Sequence, residues 1–151
     1  MISHHYETKI ITLWSTFLLG TLFHTQLGLM PLFHGIGVAR ADVHDTAANV
    51  AIVLWLMLAF FTLPMVAMIA TTFTQSRRYR TIHLGMTVVY SVMNLLHLIA
   101  DLVVTPIVWS QITLMTILFV IGLLLNLVAF QWLQSGKQSR SPHLPEPLTH
   151  S

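Results

Sequence analysis

Four stretches long enough to cross a bilayer, separated by very short connections, constrain this chain more than any other feature. Residues 10–39 and 46–76 contain no Asp, Glu, Lys or Arg, and between Thr81 and Gly136 the single charged residue is Asp101. A hydrocarbon core of about 30 Å needs roughly 20 apolar residues per helix. The spacing therefore predicts four spans, near residues 10–33, 46–73, 81–104 and 107–133. The expected class is all-α: an integral membrane four-helix bundle occupying residues 1–134 as one unit. A β-barrel is disfavoured, because its strands alternate in polarity over about 10 residues, whereas these runs are continuous. Of 151 residues, 55% are hydrophobic and 8% charged, against about a quarter charged in soluble domains. The polar, proline-containing segment 135–151 is expected to be disordered and is given no catalytic role.

Orientation follows from the basic residues, which concentrate in cytoplasmic loops. Lys9 precedes the first span, Arg77, Arg78 and Arg80 join the second to the third, and Lys137 and Arg140 follow the fourth. Only Arg40 falls on the opposite side. Both termini are expected to be cytoplasmic. The Ala39-Arg40-Ala41 triplet matches a signal-peptidase pattern, but the apolar run before it exceeds the roughly 7 to 15 residues of a signal peptide, so an uncleaved first span is expected. A net charge of +2 with no extended basic patch gives no reason to expect a nucleic-acid partner. The expected surroundings are the lipid bilayer, with self-association or a larger membrane complex as partner.

The absence of cysteine excludes disulfides, thiolate metal sites and thiol redox chemistry. Any metal must be held by His, carboxylate or Met. On the third span His83, Thr87, Tyr90, Asn94, His97 and Asp101 recur at alternating intervals of four and three residues. A lipid-facing stripe of this kind would strand hydrogen-bonding groups in hydrocarbon, so the seam is expected to face the bundle interior. On the first span Thr16, Gly20, His24 and Gly28 share one face. Small residues there allow close helix approach, or leave room beside the imidazole for a ligand.

A rise of about 1.5 Å per residue puts His24 and His97 roughly 21 and 24 Å from the inner edge. The outer connection adds His34, Asp42, His44 and Asp45, and Pro31 is placed to bend the end of span one toward them. His97 and Asp101, four residues apart, meet on adjacent turns. The chemistry this allows is a transition-metal ion (zinc, copper or non-haem iron) held by His24, His34, His44, His97 and Asp101, with Asp101 either a ligand or the carboxylate that orients an imidazole.

Other readings stand beside it. The same polar groups can join helices by hydrogen bonds alone. The seam from His83 through Tyr90 and Asn94 to Asp101 can carry protons if water bridges its non-titrating members. Met57, Met65, Met68 and Trp55 on the second span suit either ordinary core or docking of an accessory or assembly subunit on a larger complex. The thirteen residues between His83 and His97 resemble the haem-binding helices of b-type cytochromes. That resemblance implies electron transfer through one outer haem b held by His24 and His97, with Gly20 and Gly28 against the ring and Arg40 at its propionates. No nucleophile triad or phosphate-binding glycine loop points to a particular enzyme class.

The charge asymmetry yields a direct test of topology. In a chain without cysteine, single cysteines at Ser76 and Ser139 should label from the cytoplasmic side and one at Ala41 from the outside.

Overall fold

The computed structural model describes residues 2–37, 47–103 and 107–138. It contains four α-helices, α1 (Ile2–Phe33), α2 (Ala47–Phe73), α3 (Arg77–Val103) and α4 (Trp109–Gln138), each long and apolar enough to cross a membrane. The chain is accordingly read as a multi-pass membrane protein. α4 packs along both α1 and α3, while α2 lies against α1 over a shorter length. The start of α1 meets the end of α2, where Gln75 Nε2 donates to Glu7 Oε1 at 2.5 Å. The start of α3 meets the end of α4, where Arg80 Nη1 donates to the Trp132 carbonyl at 2.8 Å. These four helix ends share one end of the bundle, hereafter the basic end.

Helix boundaries differ from the sequence expectation for identifiable reasons. α1 begins eight residues before Ile10 because Glu7 is buried and answered by Gln75, so a polar turn continues the helix. α3 begins at Arg77 rather than Thr81, since Ser76 caps it: the Ser76 hydroxyl accepts from the Tyr79 N–H at 3.3 Å, and its carbonyl from the Arg80 N–H at 3.1 Å. Arg80 is thereby drawn from the expected loop into the bundle, where it is buried. At the other end of the chain α4 continues to Gln138, five residues past Leu133. Arg80 secures those last turns through the Trp132 carbonyl, Ser135 Oγ at 3.3 Å, and the Trp132 ring 4.8 Å beneath its guanidinium.

The core is aromatic and concentrated toward the basic end. Trp14, Phe17 and Trp132 are buried with Ile10, Leu118 and Leu125. The seam on α3 faces inward from His83 to Asn94, with Arg80, His83, Thr87, Tyr90, Ser91 and Asn94 buried, but not to its end: His97 is exposed and Asp101 half-buried, because the bundle opens on that side. His83, Tyr90 and Ser91 bond sideways to other helices, while Thr87 returns its hydroxyl to the Leu84 carbonyl of its own helix. Trp14 Nε1 donates to His83 Nε2 at 3.1 Å, and Asn126 Nδ2 donates to Ser91 Oγ at 2.9 Å. A Cβ at Gly122 would stand 2.9 Å from that same Ser91 oxygen, so glycine sets the closeness of α3 and α4.

Tyr90 solves a problem posed by Pro64. Proline lacks an N–H, which leaves the carbonyl four residues earlier, on Phe60, without its helical donor. The Tyr90 hydroxyl supplies one at 2.6 Å. Nearer the basic end Tyr79 makes a second tie, donating to the Ala67 carbonyl at 2.5 Å with Thr71 Oγ1 3.0 Å away. These two tyrosines tie α2 to α3.

Removing the hydroxyl in Tyr90→Phe should therefore lower the unfolding free energy by about 1 kcal/mol, the scale of hydrogen bonds inside membranes. Unfolding of the purified protein in mixed micelles checks it, with Tyr6→Phe as the comparison expected to change little.

Candidate metal centre

The far end of the bundle from Arg80 is built by α1 and α3. His24 projects from α1, and His97 and Asp101 from successive turns of α3. Seventeen residues separate Arg80 from His97, or roughly 26 Å of helix. His24 Nε2 and His97 Nε2 stand 3.4 Å apart, with the rings edge to face, centroids 5.3 Å apart and planes at 80°. Asp101 completes the group: Oδ2 lies 3.6 Å from His24 Nε2, and Oδ1 3.8 Å from His97 Nε2. Side-chain exposure is 10% for His24, 22% for Asp101 and 56% for His97, so the site opens along the His97 side.

These three residues form a group whose donor atoms all fall within 4.8 Å of one another. The separations discriminate between geometries. Metal bonds of about 2.0 to 2.2 Å place ligand atoms about 3.4 Å apart in a tetrahedron, and about 3.0 Å apart when adjacent in an octahedron. The two imidazole nitrogens, 3.4 Å apart, stand at the tetrahedral edge, whereas His24 and His97 approach different oxygens of Asp101, at 3.6 and 3.8 Å. Asp101 Oδ2 and His24 Nδ1 are buried without a hydrogen-bond partner. A carboxylate at this depth is costly unless a cation, a proton or donors answer it.

His34 is placed elsewhere. α1 stops in a Schellman cap, with the Ile36 N–H on the Pro31 carbonyl at 3.0 Å, the Gly35 N–H on Leu32 at 3.1 Å, and Gly35 at φ 73°. His34 sits in that turn with its side chain exposed, and is not in the group with His24. His44, Arg40, Asp42 and Asp45 lie outside the described residues.

The two glycines flanking His24 face α4. A Cβ on Gly20 would overlap Leu118, and one on Gly28 would stand 3.2 Å from Gln111 Nε2. They serve close packing of α1 on α4, and the room expected there for a flat ring is filled. His83 is enclosed by Trp14, Tyr79 and Trp132, deep in the core and apart from the outer group.

Several residues important to this arrangement escaped the sequence reading. Trp14 and Trp132 look like generic apolar residues in sequence, Ser91 and Asn126 lie 35 residues apart, and Glu7 reads as part of a polar flank. The spacing Gly122 to Asn126, one turn apart on α4, was the available signal for the second pair. The chain matches no protein family, curated protein or solved structure among those compared.

The convergence of α1 and α3 is open to a chemical check. A His24→Cys/His97→Cys pair should be joined by a short bifunctional thiol reagent. A Phe23→Cys/His97→Cys pair, with Phe23 exposed on the outside of α1, should not.

Proposed function

We propose that this protein holds a transition-metal ion within the membrane, close to its non-cytoplasmic face, with His24, His97 and Asp101 as the protein ligands. One observation carries the proposal: three donor groups from two helices converge so that one donor atom from each lies within 4.8 Å of the others. Two neutral imidazoles and one carboxylate make a donor set of borderline softness. It suits zinc, copper or iron, and the 3.4 Å between the two imidazole nitrogens fits a tetrahedral edge, the geometry zinc takes. Three protein ligands leave a fourth position for water or substrate, the pattern of zinc sites that act on ligands rather than merely brace a fold. The exposed side of His97 gives that position access. Placement near the outer face rests on the basic residues at the opposite end of the bundle.

The seam provides the structural frame for this role. His83, Tyr90 and Ser91 are committed to bonds with other helices, and hold α3 in rotation so that His97 and Asp101 point toward His24. A positioned pair of ligands then costs little reorganisation when an ion enters.

Zinc reconstitution followed by elemental analysis tests the proposal. The purified protein should retain one zinc per chain. His24→Ala and His97→Ala should lose it, Asp101→Asn should weaken it tenfold or more, and His83→Gln should keep it if the bundle remains folded. Protein that remains zinc-free, copper-free and iron-free would overturn the reading. A Soret band after haem addition, absent from both histidine variants, would replace the ion with haem b.

A further inference from the structure

Two of the three proposed metal ligands also line a cavity. About 620 Å³ of space lies between the first half of α2 and the facing turns of α1 and α3, within the range of small-molecule sites. His24 and His97 are part of its wall and Asp101 is not, so the cavity adjoins the group on its imidazole side, where His97 is open. Phe60, Phe61 and Met93 represent the rest of the wall, and among the described residues no Lys, Arg, Asp or Glu lines it.

The polar residues along this wall are Thr21, His24, Thr25, Tyr90, Asn94 and His97, and most are spent. Thr21 and Thr25 donate to the Phe17 and Leu22 carbonyls of their own helix at 2.8 and 2.6 Å. Tyr90 donates to the Phe60 carbonyl. Asn94 is buried, and its side-chain oxygen is closed off from the cavity. A ligand therefore meets polar chemistry at one end only, beside His24 and His97. The molecule that fits has a single polar head and an apolar remainder.

The charge of that head follows from the proposed metal centre, on which this inference rests. A divalent ion held by two neutral imidazoles and one carboxylate keeps one net positive charge, which is costly at this depth in a membrane unless an anion answers it. An alcohol would leave that charge unanswered, and an ammonium head would be repelled. A zwitterionic phospholipid head would bring a cation for which the cavity has no counter-charge. Water-borne anions would supply the charge and leave the apolar walls unused.

We propose that the metal centre takes a long-chain carboxylate of the fatty-acid class as its fourth ligand, with a carboxylate oxygen on the ion and the alkyl chain in the cavity beside Phe60 and Phe61. Oxygen donors of this kind are ordinary zinc ligands. Without the ion the incoming carboxylate would meet only the charge of Asp101. Chain and metal are thus coupled, and each strengthens binding of the other by the same factor.

Titration calorimetry of the zinc-loaded protein with decanoate, in maltoside micelles, tests this. One decanoate should bind per chain. Metal-free protein should bind it at least tenfold more weakly, and decanol and decyltrimethylammonium should bind the zinc-loaded protein at least tenfold more weakly than decanoate does. Ala59→Trp, which puts a bulky ring into the cavity wall, should weaken decanoate tenfold or more while zinc uptake and the response to acetate stay unchanged. That pattern separates a filled cavity from a lost fold and from simple partition of decanoate into the micelle. In the cobalt-substituted protein decanoate should shift the visible bands of the ion. Zinc-loaded protein that binds decanoate no better than decanol, or no better than metal-free protein does, would overturn this inference and leave the metal centre standing. So would undiminished decanoate binding in Ala59→Trp. Protein that takes up no metal would overturn the metal centre and this inference with it.

Discussion

Hydrocarbon offers a buried polar group no partner, and the inward edge of α3 carries more polar groups than any other face of this bundle. The rest of the molecule is arranged around answering them. Trp14 answers His83 from α1, Asn126 answers Ser91 from α4, and the Phe60 carbonyl takes the Tyr90 hydroxyl from α2. Each bond crosses to a different helix, so α3 is fixed in rotation by three neighbours at once. Pro64 and Tyr90 form a reciprocal pair in this scheme: one exposes a carbonyl, and the other uses it to tie α2 to α3.

Unanswered polar atoms occur toward both ends of the bundle. At the basic end Arg80 Nε, His83 Nδ1 and Trp132 Nε1 are buried without a partner, although Arg80 and His83 are each bonded through another side-chain atom. Toward the far end Asn94 Oδ1, His24 Nδ1 and Asp101 Oδ2 are buried without a partner. These three cluster within two turns of α3 and the facing turn of α1. The cost of such groups in a membrane helix is what connects structure to function here. A cation between His24, His97 and Asp101 would answer the carboxylate from outside the chain.

The frame was legible from charge and periodicity alone. Four long apolar runs, charged only at Asp101, announce four helices, and the alternation of four and three places the seam inward from His83 to Asn94, although His97 beyond it is exposed. The same phase brings His97 and Asp101 to one face, and the depth of His24 matches theirs. What sequence spacing does not convey is contact across helices. Nothing local in Glu7 indicates Gln75, 68 residues on, and so charge alone places the start of α1 at Ile10 instead of Ile2. Arg80 reads as a loop charge beside Arg77 and Arg78, yet Ser76 begins the helix early and carries it into the bundle. His34 shows the opposite case. It lies near His24 in sequence, but the left-handed turn at Gly35 ends α1 and leaves its side chain exposed.

The central claim is that two imidazoles and one carboxylate hold one ion in tetrahedral geometry, and X-ray absorption at the zinc edge reads that shell directly. The zinc-loaded protein should show four light ligands at about 2.0 to 2.2 Å, with outer-shell scattering from two imidazoles that disappears in His24→Ala and His97→Ala. A six-coordinate oxygen shell without imidazole scattering, unchanged in those variants, would contradict it.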